Sequence, residues 1–140
     1  MKRTLFETEY WKIELSPDQN YFGRLKISLK RDCSALSDIT EDENLDFYHL
    51  TKRLEVAFKE KYQATMFNWS CSMNNGYLTE PPNPYVHWHF RPRYTSPVHF
   101  QGIEFADPNF ANHYVRGKSE EKVVDEALYN QIADELSKTL

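Results

Sequence analysis

Two imidazoles, His87 and His89, stand on alternate positions of the stretch NPYVHWHFRPRY, Asn83 to Tyr94, with Trp88 between them. An imidazole titrates near neutral pH, so it can act as nucleophile, general acid or base, or metal ligand. Residues two apart on an extended chain share a face. Tyr85, His87, His89 and Arg91 then form one row, with neighbours about 7 Å apart by Cα. Val86, Trp88 and Phe90 form the opposite, apolar row, whose bulk fits a core. Arg91 beside the imidazoles favours an anion. The Asn74-Asn75-Gly76 turn just ahead adds amides, which hold phosphate oxygens without adding charge. Three plainer readings stand beside this one. A polar strand face can simply be solvated. A His-x-His pair can bind a metal, with His49, His99 or His113 as a third ligand, although no Glu or Cys stands at a familiar metal spacing. Trp88 reads as a core residue rather than a base-stacking platform.

The elements that must position these groups are legible from pattern. Tyr10 to Ser16, YWKIELS, and Arg24 to Lys30, RLKISLK, alternate apolar and polar residues and read as strands. The turn formers SPDQNYFG join them, giving an antiparallel hairpin. Thr40 and Glu43 form a capping box, followed by Phe47, Leu50, Leu54, Ala57 and Phe58 at helical spacing. A helix from about Glu41 to Tyr62 is expected, with His49 on its polar flank. Ala64 to Met73 reads as a third strand, and Asn74 to Pro84 as a loop because prolines and Gly76 interrupt it. The His87 stretch is the next strand. PVHFQGIEF, residues 97 to 105, is expected to add an edge strand, and ADPNFANHYVRGK, residues 106 to 118, is read as irregular surface chain. Ser119 is expected to cap a closing helix with Val124, Ala127, Leu128, Ile132 and Leu136 on its apolar stripe. Strands with few, non-alternating helices point to an α+β fold: an antiparallel sheet of about five strands, one long helix and a C-terminal helix.

At 140 residues the chain suits one domain, residues 1 to 140, with its own core. The net charge of −4, from 17 basic and 21 acidic residues, argues against binding a nucleic-acid polymer. One local pocket can still be positive. Cys33 and Cys71 form no CxxC pattern, which excludes a zinc ribbon or a dithiol redox centre; they read as free thiols. No stretch has the apolar length of a signal peptide or membrane span, so no membrane partner and a cytoplasmic location are expected.

Four segments together resemble a known family. YVHWHFRPR resembles the His-φ-His-φ-His-φ-φ signature of the histidine triad (HIT) superfamily of nucleotide hydrolases and transferases, φ being apolar and Pro-Arg often following. Anchoring on Pro92-Arg93 puts Tyr85, His87 and His89 at the three histidine positions. Met73-Asn74-Asn75-Gly76 resembles the Met-x-x-Gly turn ahead of the triad in the fragile-histidine-triad hydrolases. YFGRLKISLKRD resembles the family's Pro-Gly-His strand, and LSDITEDE the entry to its long helix.

The resemblance implies attack by His87 on the α-phosphorus of a nucleoside phosphate ester, anhydride or phosphoramidate, through a nucleotidyl-histidine that water then releases. His89 would donate a hydrogen bond to the phosphoryl group. Asn74 would lie near the scissile oxygen, with Asn75 beside it. The main-chain carbonyl of Tyr85 would hold the other ring nitrogen of His87. Ser16, with Asp18 as the alternative, would meet the ribose hydroxyls. A nucleotide substrate of the diadenosine polyphosphate or phosphoramidate class, a homodimer, no cofactor and no metal follow as expectations. Three positions depart from the family. Tyr85 replaces the first histidine, Glu80-Pro81-Pro82 replaces a Gly-Gln-Ser/Thr segment of phosphate donors, and Asp32 stands where a histidine usually ends the basic strand. Each removes a donor or charge, and one such donor can contribute ~3 kcal/mol in the transition state. A nucleotide-binding module without turnover is therefore the alternative.

Overall fold

The computed structural model describes residues 1–115, 117 and 121–140. Five antiparallel strands form the main sheet: β1 (Thr4–Glu7), β2 (Trp11–Leu15), β3 (Leu25–Leu29), β4 (Met66–Ser70) and β5 (His87–Arg93). Their order is β1-β2-β3-β5-β4. The strand carrying the histidines is therefore interior, paired to β3 on one side and β4 on the other. Pro92 is tolerated there because the β3 ladder ends at Leu25, opposite Phe90, and only Phe67 of β4 opposes the proline.

Alternation sorts each strand into two faces. Trp11, Ile13, Leu15, Leu25, Ile27, Val86 and Phe90 are buried on one of them. Helix α1 (Glu41–Tyr62) adds Leu50, Leu54 and Phe58 to the same cluster, and α2 (Glu126–Thr139) adds Ile132, Ala133 and Leu136. Each of the larger side chains among them contributes roughly 2 kcal/mol by leaving water. Both helices thus cover the apolar face and leave the polar face of the sheet open.

Helix α1 has the bounds its pattern gives. Thr40 Oγ1 accepts from the Glu43 amide and the Glu43 carboxylate accepts from the Thr40 amide. Arg31 pairs with both oxygens of that carboxylate, at 2.7 and 2.9 Å. The Arg31 hydrogen bonds hold Glu43 down at about 2 against the cost of burial. Gln63, in the left-handed region, ends the helix.

Two expectations about elements are corrected. Residues 97–105 do not join the main sheet. They close on themselves as a hairpin of β6 (Val98–Phe100) and β7 (Ile103–Phe105). The two turn residues between them, Gln101 and Gly102, both have positive φ, the geometry that suits a two-residue hairpin loop. The fifth strand is instead β1, near the start of the chain. The closing helix begins at Glu126, where Asp125 accepts from the Leu128 amide at 2.8 Å; the expected cap, Ser119, lies outside the described residues. Val124 is buried ahead of the helix and Ala127 is exposed, so the stripe runs through Leu128, Tyr129, Ile132, Ala133 and Leu136.

Candidate active site

The sheet register lays chemistry-bearing side chains across the open face in rows. Glu14 on β2 pairs with Lys26 on β3, Lys26 with His89 on β5, and His89 with Ser70 on β4. The next row runs Lys12, Ser28, His87. Paired residues share a face with Cβ atoms about 5 Å apart, so the histidines sit between a basic strand and a serine-bearing one.

A cleft of about 170 Å³ opens over β5, lined by Arg24, Ser70, Asn74, His87, His89 and Arg91 among others. No carboxylate is among its described lining residues. The local field is therefore positive on a chain of net charge −4.

His87 Nδ1 lies 2.9 Å from the carbonyl oxygen of Tyr85. A carbonyl only accepts, so Nδ1 carries the proton and donates it, which leaves the Nε2 lone pair free. Burial pushes the His87 pKa below the ordinary imidazole value; the Tyr85 carbonyl opposes this and Lys26 adds to it. His89 stands edge-on to His87, with ring centroids 5.1 Å apart. Burial, then Arg91, His87, Arg24 and Lys26, lower its pKa to about 3. Both rings favour the neutral form at pH 7, which leaves a free lone pair on His87 and lets His89 donate a neutral N–H.

Tyr85, the residue in the first triad position, stacks on the His87 ring at 4.6 Å. The Lys26 ammonium lies 4.9 Å from the Tyr85 centroid. Arg24 is placed by the turn before β3: its Nη1 donates to Asp18 at 2.7 Å and to Asn20 at 3.3 Å. Its Nε is buried with no hydrogen-bond partner among the described residues, a donor that an anion in the cleft would satisfy. The Arg91 guanidinium stacks on the Tyr114 ring at 3.9 Å. Tyr114 reaches the cleft because Arg93, fully buried, spends all five N–H groups on Asp107, Asn68 and the carbonyls of Asn109 and Asn112. This fixes the chain leading to Tyr114 against β4 and β5.

The structure gathers most of the residues singled out from sequence. His87, His89, Asn74 and Asn75 line one cleft, the two asparagines from an exposed 3-10 turn, Asn74–Leu78, that opens the expected loop. Ser16 lines an adjoining cavity of about 290 Å³ that shares Arg24 and His89 with the cleft. Asp18 bonds Arg24 and the amides of Asn20 and Lys122. Pro81 and Pro82 are exposed and absent from the described cleft lining. His49 and His99 are exposed on α1 and β6, and His113 contacts the Tyr114 carbonyl. Among the described residues no group of three His, Cys, Asp or Glu side chains could hold a metal ion. Sequence reading missed Arg24, Lys26, Ser70 and Tyr114. The first two were findable, because alternation in RLKISLK puts them on the polar face; Tyr114 sits in chain with no period to read.

No protein-family model matches the sequence, and neither does any curated protein. Solved structures do match. A histidine triad protein from Marinobacter aquaeolei VT8 aligns with a TM-score of 0.73 at 16% identity, over 99% of this chain and 88% of that one. A diadenosine triphosphate hydrolase from Plasmodium falciparum aligns with a TM-score of 0.58 at 13% identity, over 96% and 76%. A zinc-bound histidine triad family protein from Mycobacterium smegmatis aligns with a TM-score of 0.53 at 16% identity, over 98% and 87%. The chain has the histidine triad fold, as the four sequence segments implied.

Proposed function

We propose that the protein is a nucleotide hydrolase or nucleotidyl transferase that works through His87. One observation carries this reading: the Tyr85 carbonyl fixes His87 as the Nδ1–H tautomer, leaving Nε2 nucleophilic in a positively charged cleft. A substrate α-phosphoryl group there would meet the unpaired Arg24 Nε. Nε2 attacks phosphorus as the bond to the leaving group breaks; a phosphate leaving group departs as its anion, and an amine leaving group takes its proton from water. Water then cleaves the P–N bond, releasing a nucleoside monophosphate and restoring the imidazole. In this reading His89 donates to a non-bridging oxygen, Asn74 and Asn75 lie along the leaving-group side, and Ser16 meets the ribose. Dinucleoside polyphosphates and nucleoside phosphoramidates are the substrate classes, and residues 1 to 140 act as one domain, cytoplasmic and without a resident metal or cofactor.

A homodimer belongs to the same reading. Edge strand β4 is MFNWS, uncharged, with every residue partly exposed. Such an edge is suited to pairing with a second copy.

The test is intact-mass measurement after mixing with a nucleoside phosphoramidate or dinucleoside polyphosphate. A nucleotidyl adduct is expected on the protein and none on His87→Ala, whose melting temperature should stay within a few degrees because His87 is only partly buried and its one side-chain hydrogen bond is to the Tyr85 carbonyl at the cleft. A fully active His87→Ala would remove the covalent mechanism. The second reading, a binding module, rests on Tyr85 having replaced an imidazole; nucleotide binding with neither adduct nor turnover would establish it.

A further inference from the structure

We infer that Glu14 reads the base of the nucleotide and that it selects guanine. The inference rests on the reading that the cleft over His87 holds a nucleoside phosphate. The cavity of about 290 Å³ beside that cleft shares both His89 and Arg24 with it, so a nucleoside whose phosphate lies at those residues extends into this space. Its lining includes Glu14, Ser16, Pro17 and Lys26. Glu14 and His89 stand in one register row with Lys26 between them. Two inter-strand spacings separate them, about 10 Å, a span that a nucleoside bridges from 5′-phosphate to base edge.

Glu14 is unusual in its surroundings. Its side chain is 6% exposed. It is ion-paired to Lys12 at 3.7 Å and to Lys2 at 3.9 Å, both longer than a hydrogen bond. No hydrogen bond reaches its carboxylate among the described residues. A carboxylate can only accept, and these two long ion pairs leave its lone pairs open to donors in the cavity that it lines. Guanine offers two adjacent donors, N1–H and the N2 amino group, that match the two carboxylate oxygens, and it turns O6 and N7 toward a cation such as Lys26. Adenine sets the acceptor N1 beside its single amino donor, and uracil sets one N–H between two carbonyls. Both present a lone pair to the carboxylate.

The test is calorimetric binding of GMP, AMP and base-free ribose 5-phosphate to the protein and to Glu14→Gln. The protein should bind GMP at least about tenfold more tightly than AMP, the discrimination of a good bidentate pair. Glu14→Gln should bring the two to within about threefold while ribose 5-phosphate binds as before. Lys26→Met gives an independent arm, and should weaken GMP more than AMP. Equal binding of GMP and AMP, or a preference that survives both substitutions, would overturn the guanine assignment and leave the nucleotide site standing. Failure of all three ligands to bind would overturn the nucleotide site itself.

Discussion

At the scale of single residues, burial keeps protons off both imidazoles of the cleft. If Tyr85 acts through its carbonyl, Tyr85→Phe should keep kcat/KM within about twofold, since the phenol hydroxyl makes no contact that fixes His87. Tyr85→His should raise kcat/KM toward a nucleoside phosphoramidate about tenfold, or ~1.4 kcal/mol, by adding an imidazole to the hydrogen-bond network. Steady-state kinetics on the three proteins decides between a carbonyl and a hydroxyl role. His89 links the site to pH. Its pKa is near 6.5 in the unfolded chain and about 3 in the fold, so between these values the unfolded state binds more protons and stability rises with pH. The contribution is complete above 6.5 and is lost as pH falls toward 3. The Glu43–Arg31 contribution is lost only as pH falls from about 4.5, the value of the unfolded carboxyl, toward about 2, its value in the fold. Urea denaturation at pH 7.5 and pH 5.0 separates the two. The protein should lose stability between these pH values, and His89→Gln should lose distinctly less. Equal losses would show that His89 is not buried as its surroundings indicate.

At the scale of elements, two glycines separate backbone strain from packing. Gly23 has φ +83° and a Cβ there would fall 2.2 Å from Phe58 Cε1, on the buried side of α1. Gly102 has φ +74° with nothing within 4 Å of its would-be Cβ. Gly102→Ala should cost only the left-handed backbone penalty, about 1 kcal/mol. Gly23→Ala adds overpacking against a fully buried ring, and about 3 kcal/mol in total is expected. Because the Gly23 amide donates to Gln19 and the next residue is Arg24, the Gly23 variant should also lose activity at temperatures where it remains folded. Thermal melts and turnover at 15 °C would check both. Strand bounds at this scale were read well where alternation is clean, as in WKIEL and LKISL. They were misread at residues 97–105, where a two-residue turn at Gln101-Gly102 closes a local hairpin that apolar content alone does not reveal.

At the scale of the molecule, charge and assembly matter. Arg24, Lys26 and Arg91 concentrate positive charge on the open face of an acidic chain. Light scattering should give twice the 16.7 kDa chain mass, and a Met66→Lys substitution on β4 should shift it toward the monomer, since a charge on an edge strand opposes strand pairing. A monomer at every concentration would remove the homodimer from the reading.

The sequence by itself determined the α+β class, the span of α1 through its capping box and 3.6-residue period, and the shared face of His87 and His89 through period-2 alternation. These are local regularities, and local sterics and burial enforce them. Only the tertiary structure decided which strands neighbour β5. It put Lys26 and Ser70 on either side of His89, turned Asp18 into a support for Arg24, and brought Tyr114 over Arg91. It also set Glu14 beside the cleft, ion-paired to Lys2 and Lys12 with no hydrogen bond among the described residues. These juxtapositions depend on strand order and register between segments up to 75 residues apart, from Glu14 to His89. Hydrophobic pattern fixes which face a residue occupies, but it does not say what lies across from it on the neighbouring strand.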